Sequence, residues 1–247
     1  MSYQSWDWNR IKLLEAACSA TYNYSTLLRA SADHFRATGI EIVSYRHHPP
    51  LGAIDRTNGV FIYTEGLPDA WKKRYYAEKF YKIDPVSRLA AERSTSFLWS
   101  DTSSLIKLRE GEAWYLEQLA NNIPGDGLIA PVYGPHGRDG YFLLGLGKPD
   151  ETFTHLEIKF LEHSCQAIHS KYCELVFDKL PSNTKLSPRE TAVLKLVSIG
   201  SSSSSIADEL NITANTVDTY IQRIFHKLDV DHRVTAVLRA QAIGLLN

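Results

Sequence analysis

The chain has 247 residues, with 27 Lys and Arg against 28 Asp and Glu, a formal net charge of −1. With 44% apolar and 22% charged residues, it has the composition of an ordinary globular protein, not of a disordered chain, a collagen-like repeat or a coiled-coil rod. Near neutrality excludes a protein that holds nucleic acid by bulk positive charge, and no apolar run approaches the ~18 residues of a membrane helix.

The start of the chain is not an export signal, because Trp6, Asp7, Trp8 and Asn9 interrupt any apolar core. The protein is therefore read as cytoplasmic, with no membrane partner. Helical periodicity covers Trp8–Thr21 and Tyr24–Thr38, then Pro68–Lys82, Pro85–Arg93, Ser104–Asn121 and His155–Phe177. Strand-like runs are Glu41–His47, Gly59–Thr64, Leu128–Tyr133 and Tyr141–Gly147. Gly134–Gly140 joins the last two as a hairpin connection rich in turn formers. Long helices ahead of strands and hairpins predict an α+β domain, an antiparallel sheet with helices on its faces.

A polar stretch at 178–185 carries Pro181 and separates residues 1–177 from 186–247. The second segment is all helix. Ser187, Pro188 and Glu190 stack three start signals: an N-cap, a proline at the first helical position and a capping-box glutamate. Gly200 ends that helix. A short helix over Ser204–Leu210, a turn at 211–213 and a longer helix over Ala214–Leu228 follow, then a last one from Arg233 to Ile243. Two helices across a three-residue turn make a helix-turn-helix, whose second helix can enter the DNA major groove. Val217, Ile221, Ile224, Phe225 and Leu228 form one apolar face of that helix, opposite Asn215, Asp218, Thr219, Gln222, Arg223 and His226. Asn and Gln can pair with adenine, Arg with guanine, and Asp can accept from cytosine. The same polar face also fits a solvated surface of a helical bundle.

Cys18, Cys165 and Cys173 imply no disulfide framework, and with His163 and His169 they match no zinc spacing. Neither a metal nor another cofactor is expected. In the first segment Trp71 and Tyr75 lie one helical turn apart, and Asp84 precedes Pro85. Taken alone, the two aromatics also fit a core and Asp84 also fits an N-cap.

The stretch from Leu186 to Val237 resembles the DNA-binding domain of LuxR-type transcription regulators, with Glu190, Leu194, Gly200, Ile206, Ala207, Thr216, Val217, Lys227, Leu228 and Val230 in register. The resemblance implies a homodimer that reads an inverted repeat in double-stranded DNA and works with RNA polymerase. It assigns DNA contact to Ser204, Asn215, Thr216, Asp218, Thr219, Gln222, Arg223 and Lys227. Two departures stand out: Ser201–Ser205 replaces a charged stretch, and Asp218 replaces a common lysine. An acid at the groove repels phosphate, while hydroxyls and helix N-termini can still bond it.

The intervals 4, 9, 15 and 28 between Trp71, Tyr75, Asp84, Trp99 and Gly127, with Pro131 following, resemble the autoinducer-binding domain of quorum-sensing LuxR regulators. Their ligand is an N-acyl-homoserine lactone held between a sheet and helices, in a cavity that it fills. By that resemblance Trp71 donates its indole N–H to the lactone carbonyl and Asp84 accepts the amide N–H. Tyr75 lines the cavity, and Trp99 packs on the lactone ring. Leu67 and Leu143 stand where relatives carry hydroxyl groups for the acyl carbonyl, so either another donor, Tyr63 or Tyr141, supplies that bond or the acyl group is an unusual one. The alternative is a response regulator switched by phosphorylation, which demands an alternating parallel fold and an early acidic pair. No catalytic motif points to an enzyme.

Overall fold

The structure is a computed structural model that describes residues 8–54, 61–146, 153–177 and 185–246. The described residues divide into two compact units: those within 1–48, 60–134 and 139–175 form the first, and those within 49–59, 135–138 and 176–247 the second. Most of the sequence's separator, 178–184, lies outside the described residues, as do the first two residues of its second strand and Gly147.

The first unit runs α1 (Asn9–Ser19), α2 (Tyr24–Arg36), β1 (Ile42–His48), β2 (Phe61–Glu65), α3 (Asp69–Ala77), α4 (Pro85–Glu92), β3 (Phe97–Leu98), α5 (Thr102–Leu105), α6 (Glu112–Asn122), β4 (Gly127–Val132), β5 (Asp139–Gly145) and α7 (His155–Phe177). Its strands form one antiparallel sheet in the order β2-β1-β5-β4-β3. This is the α+β architecture the sequence predicts. It excludes the alternating parallel fold that a phosphorylation-switched receiver requires.

Two expected helices change in detail, and one strand was not expected. The helix expected over Pro68–Lys82 stops at Ala77, because Lys79 turns left-handed (φ 56°) and a single 3-10 turn, Phe80–Lys82, follows. The helix expected over Ser104–Asn121 is broken: Ile106 is extended and Gly111 has φ 81°, so α6 begins only at Glu112. Glu112 is buried and takes an ion pair of 2.7 Å from Arg88 of α4, which fixes the start of α6. Edge strand β3 has only two residues, too short for a period-two signal.

The sheet has two covered faces. On one, Tyr45 and Phe142 pack toward α7: the Tyr45 ring lies 5.2 Å from that of Tyr172, and its hydroxyl is 2.7 Å from His169 Nδ1. Cys165 and Cys173 are buried on α7 and Cys18 on α1, all as free thiols. Burial pushes the Cys165 thiol well above its usual range, which suits a packing role. The other face carries the alternate residues Ser44, Arg46, Tyr141 and Leu143 toward α3, α4 and α6.

The second unit holds α8 (Pro188–Ser198), α9 (Ser203–Leu210), α10 (Ala214–Leu228) and α11 (Arg233–Ala242). Ser187 and Glu190 close the predicted capping box. Asn211 adopts φ 52° at the end of α9, and Thr213 caps α10. Val217, Ile221, Ile224 and Leu228 are buried with Val193, Leu194, Ile206 and Ala236, each large side chain contributing ~1.5–3 kcal/mol. Among the described residues no helix is long and apolar enough to cross a membrane.

Candidate functional site: a cavity against the sheet and a helix-turn-helix

Helix α3 buries Trp71 and Tyr75 on one face because they are one turn apart. The two side chains line a cavity with Asp84 and Val86 of the α4 start, Tyr115 and Leu119 of α6, and Ser44, Arg46, Thr64, Tyr141 and Leu143 of the sheet. Leu67 stands at its edge.

Asp84 serves as N-cap and as the polar centre of the cavity at once. Oδ1 accepts from the backbone of Val86 (3.0 Å) and Ser87 (3.3 Å), as expected of a capping residue before a proline. Oδ2 turns inward and accepts from the Tyr75 hydroxyl (2.9 Å) and Ser87 Oγ (2.8 Å), with Arg46 Nη1 at 3.5 Å. Burial, then the Asp84 charge, lifts the Tyr75 hydroxyl far above its normal range, so it stays a protonated donor. Tyr141, bonded to Ser87 Oγ at 2.8 Å, is likewise pushed up to about 12 by burial. Burial works against the Arg46 cation, but Tyr141, Tyr75 and Asp84 outweigh it and hold it charged.

Trp71 is 4% exposed. Among the described residues its indole N–H meets no acceptor, although the ring lies against Phe80 and Tyr115. An unpaired indole N–H on a residue that lines a cavity is available to donate to a ligand.

Trp99 and Tyr63 are placed differently from the sequence expectation. Trp99 shares the core with Trp71 but does not line the cavity. It lies on Gly127, where a Cβ would come within 2.2 Å of the indole, so Gly127 is glycine to admit that ring. Tyr63 points to the other side of the sheet and donates to Glu65, while its neighbours Ile62 and Thr64 line the cavity. The pleat sends successive side chains to opposite faces, which shifts the expected position by one residue. Hydroxyl groups are nonetheless present next to Leu143: Ser44 pairs with it across the sheet and bonds Thr64 at 3.1 Å.

The expectation of a ready-made chamber is also revised. The cavity encloses about 50 Å³, whereas pockets that engulf a small ligand run ~300–1,000 Å³. Arg46 fills part of the space, 5.2 Å from the Tyr75 ring centre and 5.6 Å from that of Tyr141. Entry of a ligand requires the lining side chains to move apart.

On α10, Asn215, Asp218, Thr219, Gln222 and Arg223 are exposed on one face. Asn215 and Gln222 have no side-chain partner among the described residues. Thr219 donates to the Asn215 carbonyl (2.9 Å), and Thr216 bonds the Thr213 hydroxyl (2.8 Å) within the cap. Ser204 bonds Ser202. Asp218 accepts from Ser203 at 2.8 Å, and Arg233 reaches the same serine at 2.7 Å. Lys227, expected at the DNA, has its ammonium 2.6 Å from buried Glu190 and donates to the Lys185 carbonyl.

Comparison with known proteins agrees with this geometry. Residues 24–172 match the family described as "Autoinducer binding domain", and 184–240 match "Bacterial regulatory proteins, luxR family". The chain belongs to the autoinducer-binding luxR family. Similar to this luxR-family chain are the transcriptional activator AnoR of Acinetobacter nosocomialis, 24% identical over 84% of this chain and 87% of the relative, and SolR of Ralstonia nicotianae, 26% identical over 89% and 92%. In fold it resembles SdiA of Escherichia coli, with a TM-score of 0.74 at 21% identity over 100% of both chains. SdiA in complex with octanoyl-rac-glycerol gives 0.68 at 20% identity over 99% of this chain and 97% of that one. This luxR-family protein is a DNA-binding transcription regulator of the quorum-sensing type, not an enzyme.

Proposed function

We propose that the protein senses an N-acyl-homoserine lactone in the cavity beside Trp71 and Asp84, and as a homodimer binds an inverted-repeat DNA site in the cytoplasm and engages RNA polymerase. The observation that carries the ligand reading is one cavity lined both by Trp71, whose indole N–H has no acceptor among the described residues, and by Asp84, whose Oδ2 takes the Tyr75 hydroxyl bond. An acyl-homoserine lactone offers the matching acceptor in its ring carbonyl and the matching donor in its amide N–H. Carboxylate–N–H bonds are strong when desolvated, and an unpaired buried amide costs ~1–3 kcal/mol. Tyr75 holds the carboxylate in place, and Leu67, Leu119 and Leu143 supply apolar surface for an acyl chain.

The contracted cavity supports a coupling of ligand to stability. A ligand that binds only the opened, folded state shifts the equilibrium toward it. The DNA reading rests on Asn215, Gln222 and Arg223 as base readers, with Ser204, Thr216 and Thr219 near phosphates. The test is thermal unfolding of the full chain with short, long and aromatic acyl lactones. A concentration-dependent rise in Tm with at least one of them is expected, and no rise with any would overturn the reading.

A further inference from the structure

We propose that Arg46 is a specificity-determining residue that selects ligands carrying an oxygen on the third carbon of the acyl chain, a 3-oxo or 3-hydroxy group. The proposal rests on the lactone reading above.

Arg46 is on β1, on the cavity face of the sheet, between Ile62 of β2 and Tyr141 of β5. A guanidinium in this position is costly to desolvate. Its side chain is 15% exposed, and the only carboxylate paired with it among the described residues is Asp84, at 3.5 Å. Nη1 also donates to Ser87 Oγ, and the Tyr141 hydroxyl bonds that same oxygen. A guanidinium carries five N–H donors, more than the neighbouring Asp84 and Ser87 oxygens take up. The cavity therefore presents two groups side by side: a carboxylate oxygen that accepts, and a cation with donors to spare.

This pairing dictates which edge of an amide can be read. A planar trans amide sends its N–H and its C=O to opposite edges. Asp84 and Arg46, 3.5 Å apart, face one edge, so they cannot serve the N–H and the C=O of the same amide. An oxygen two carbons beyond the amide carbonyl is different. Rotated into the amide plane, it comes to the N–H edge and offers an acceptor next to that donor. The edge then matches the cavity, with N–H to Asp84 and the third-carbon oxygen to Arg46. The amide C=O points away, toward the strand hydroxyls of Ser44 and Thr64 or the indole side.

Charge favours a neutral ligand of this kind over an anionic one. Asp84 already balances Arg46, and Lys72 at the cavity edge is paired with Asp69 at 2.7 Å. A carboxylate ligand would leave a surplus negative charge beside Asp84. A neutral carbonyl or hydroxyl satisfies the spare donors without that penalty.

The experiment titrates the full chain with hexanoyl-, 3-oxohexanoyl- and 3-hydroxyhexanoyl-homoserine lactone, reading ligand-dependent Tm and Kd. The native protein is expected to prefer the oxygenated pair by about tenfold or more, the size of one bond to a charged donor. In Arg46→Met that ratio falls to near one, and in Arg46→Lys, which keeps the charge and fewer donors, it is intermediate. Binding of all three lactones with equal affinity by the native protein overturns the selection by Arg46 but not the lactone reading. So does a preference that survives in Arg46→Met. Binding of none overturns both. If Arg46→Met does not fold, the ratio in the native protein and in Arg46→Lys still decides.

Discussion

Lys227 Nζ lies 2.6 Å from Glu190 Oε2, and this contact ties the end of α10 to the capping box of α8. Glu190 is 3% exposed. Burial opposes its ionisation, but Lys227 and the Ser187 backbone outweigh that and hold its carboxyl below the usual range. The motif position that reads as a phosphate contact is engaged within the helical unit in this structure. Lys227→Met should lower the stability of that unit by about 1 kcal/mol, discounted for the solvent that reaches the lysine. It should leave the salt dependence of DNA binding unchanged. A DNA-binding slope against salt reduced by about one would show that Lys227 contacts phosphate after all.

Asp218 engages the DNA face differently. It accepts from Ser203, and Arg233 sits 3.9 Å away, so an acid restrains a cation at the mouth of the helix-turn-helix. Asp218→Lys should raise general DNA affinity and steepen the dependence of log K on log salt. Binding measured from 50 to 200 mM salt, on specific and non-specific duplexes, checks this; an unchanged slope would place residue 218 away from the duplex.

Asp84 can be tested as cap and as ligand acceptor separately. Asn is as good an N-cap as Asp, so Asp84→Asn keeps the bonds to Val86 and Ser87 while removing the charge beside Arg46. Urea unfolding should show a loss of about 1–3 kcal/mol from the unpaired arginine. The lactone-dependent rise in Tm should fall by more than half. A variant that keeps the full rise would remove Asp84 from the ligand account.

His34 gives the first unit an acid-sensitive element. Its ring stacks on Phe160 and lies 3.3 Å from Ser164 Oγ. Burial, helped by Arg10, lowers its pKa from 6.5 to about 4. The unfolded chain therefore binds the proton first, and stability from this group, present above pH ~6.5, is lost as pH falls toward ~4, by about 1–3 kcal/mol. His34→Gln should flatten that part of the curve in denaturant midpoints taken at pH 7 and pH 5. An identical pH slope in both proteins would contradict the assignment.

Much of this was legible in the sequence because it rests on local chemistry. Ser187, Pro188 and Glu190 announce α8 by capping alone, and the spacing of Val217, Ile221, Ile224 and Leu228 announces the buried face of α10. Trp71, Tyr75 and Asp84 are legible as a group only through the resemblance to the autoinducer-binding domain, and the fold brings them to one cavity. What was not legible depends on partners distant in the chain. Tyr63 was off by one because nothing local fixes the phase of a five-residue strand. Arg46 was missed because β1 is covered on both faces, so a polar residue there gives no alternation signal and only the fold brings it to Asp84. The Lys227–Glu190 contact is not legible either, because the two residues are 37 apart in the chain. Trp99 was expected at the ligand, and only the sheet shows it seated on Gly127.

The central claim is that Trp71 and Asp84 grip one lactone inside the first unit, and native mass spectrometry of the chain expressed with acyl-homoserine lactones in the medium tests it most directly. The account predicts a mass increment of one lactone per chain, released on denaturation and lost in Asp84→Asn. No increment, or one that persists undiminished in that variant, would contradict it.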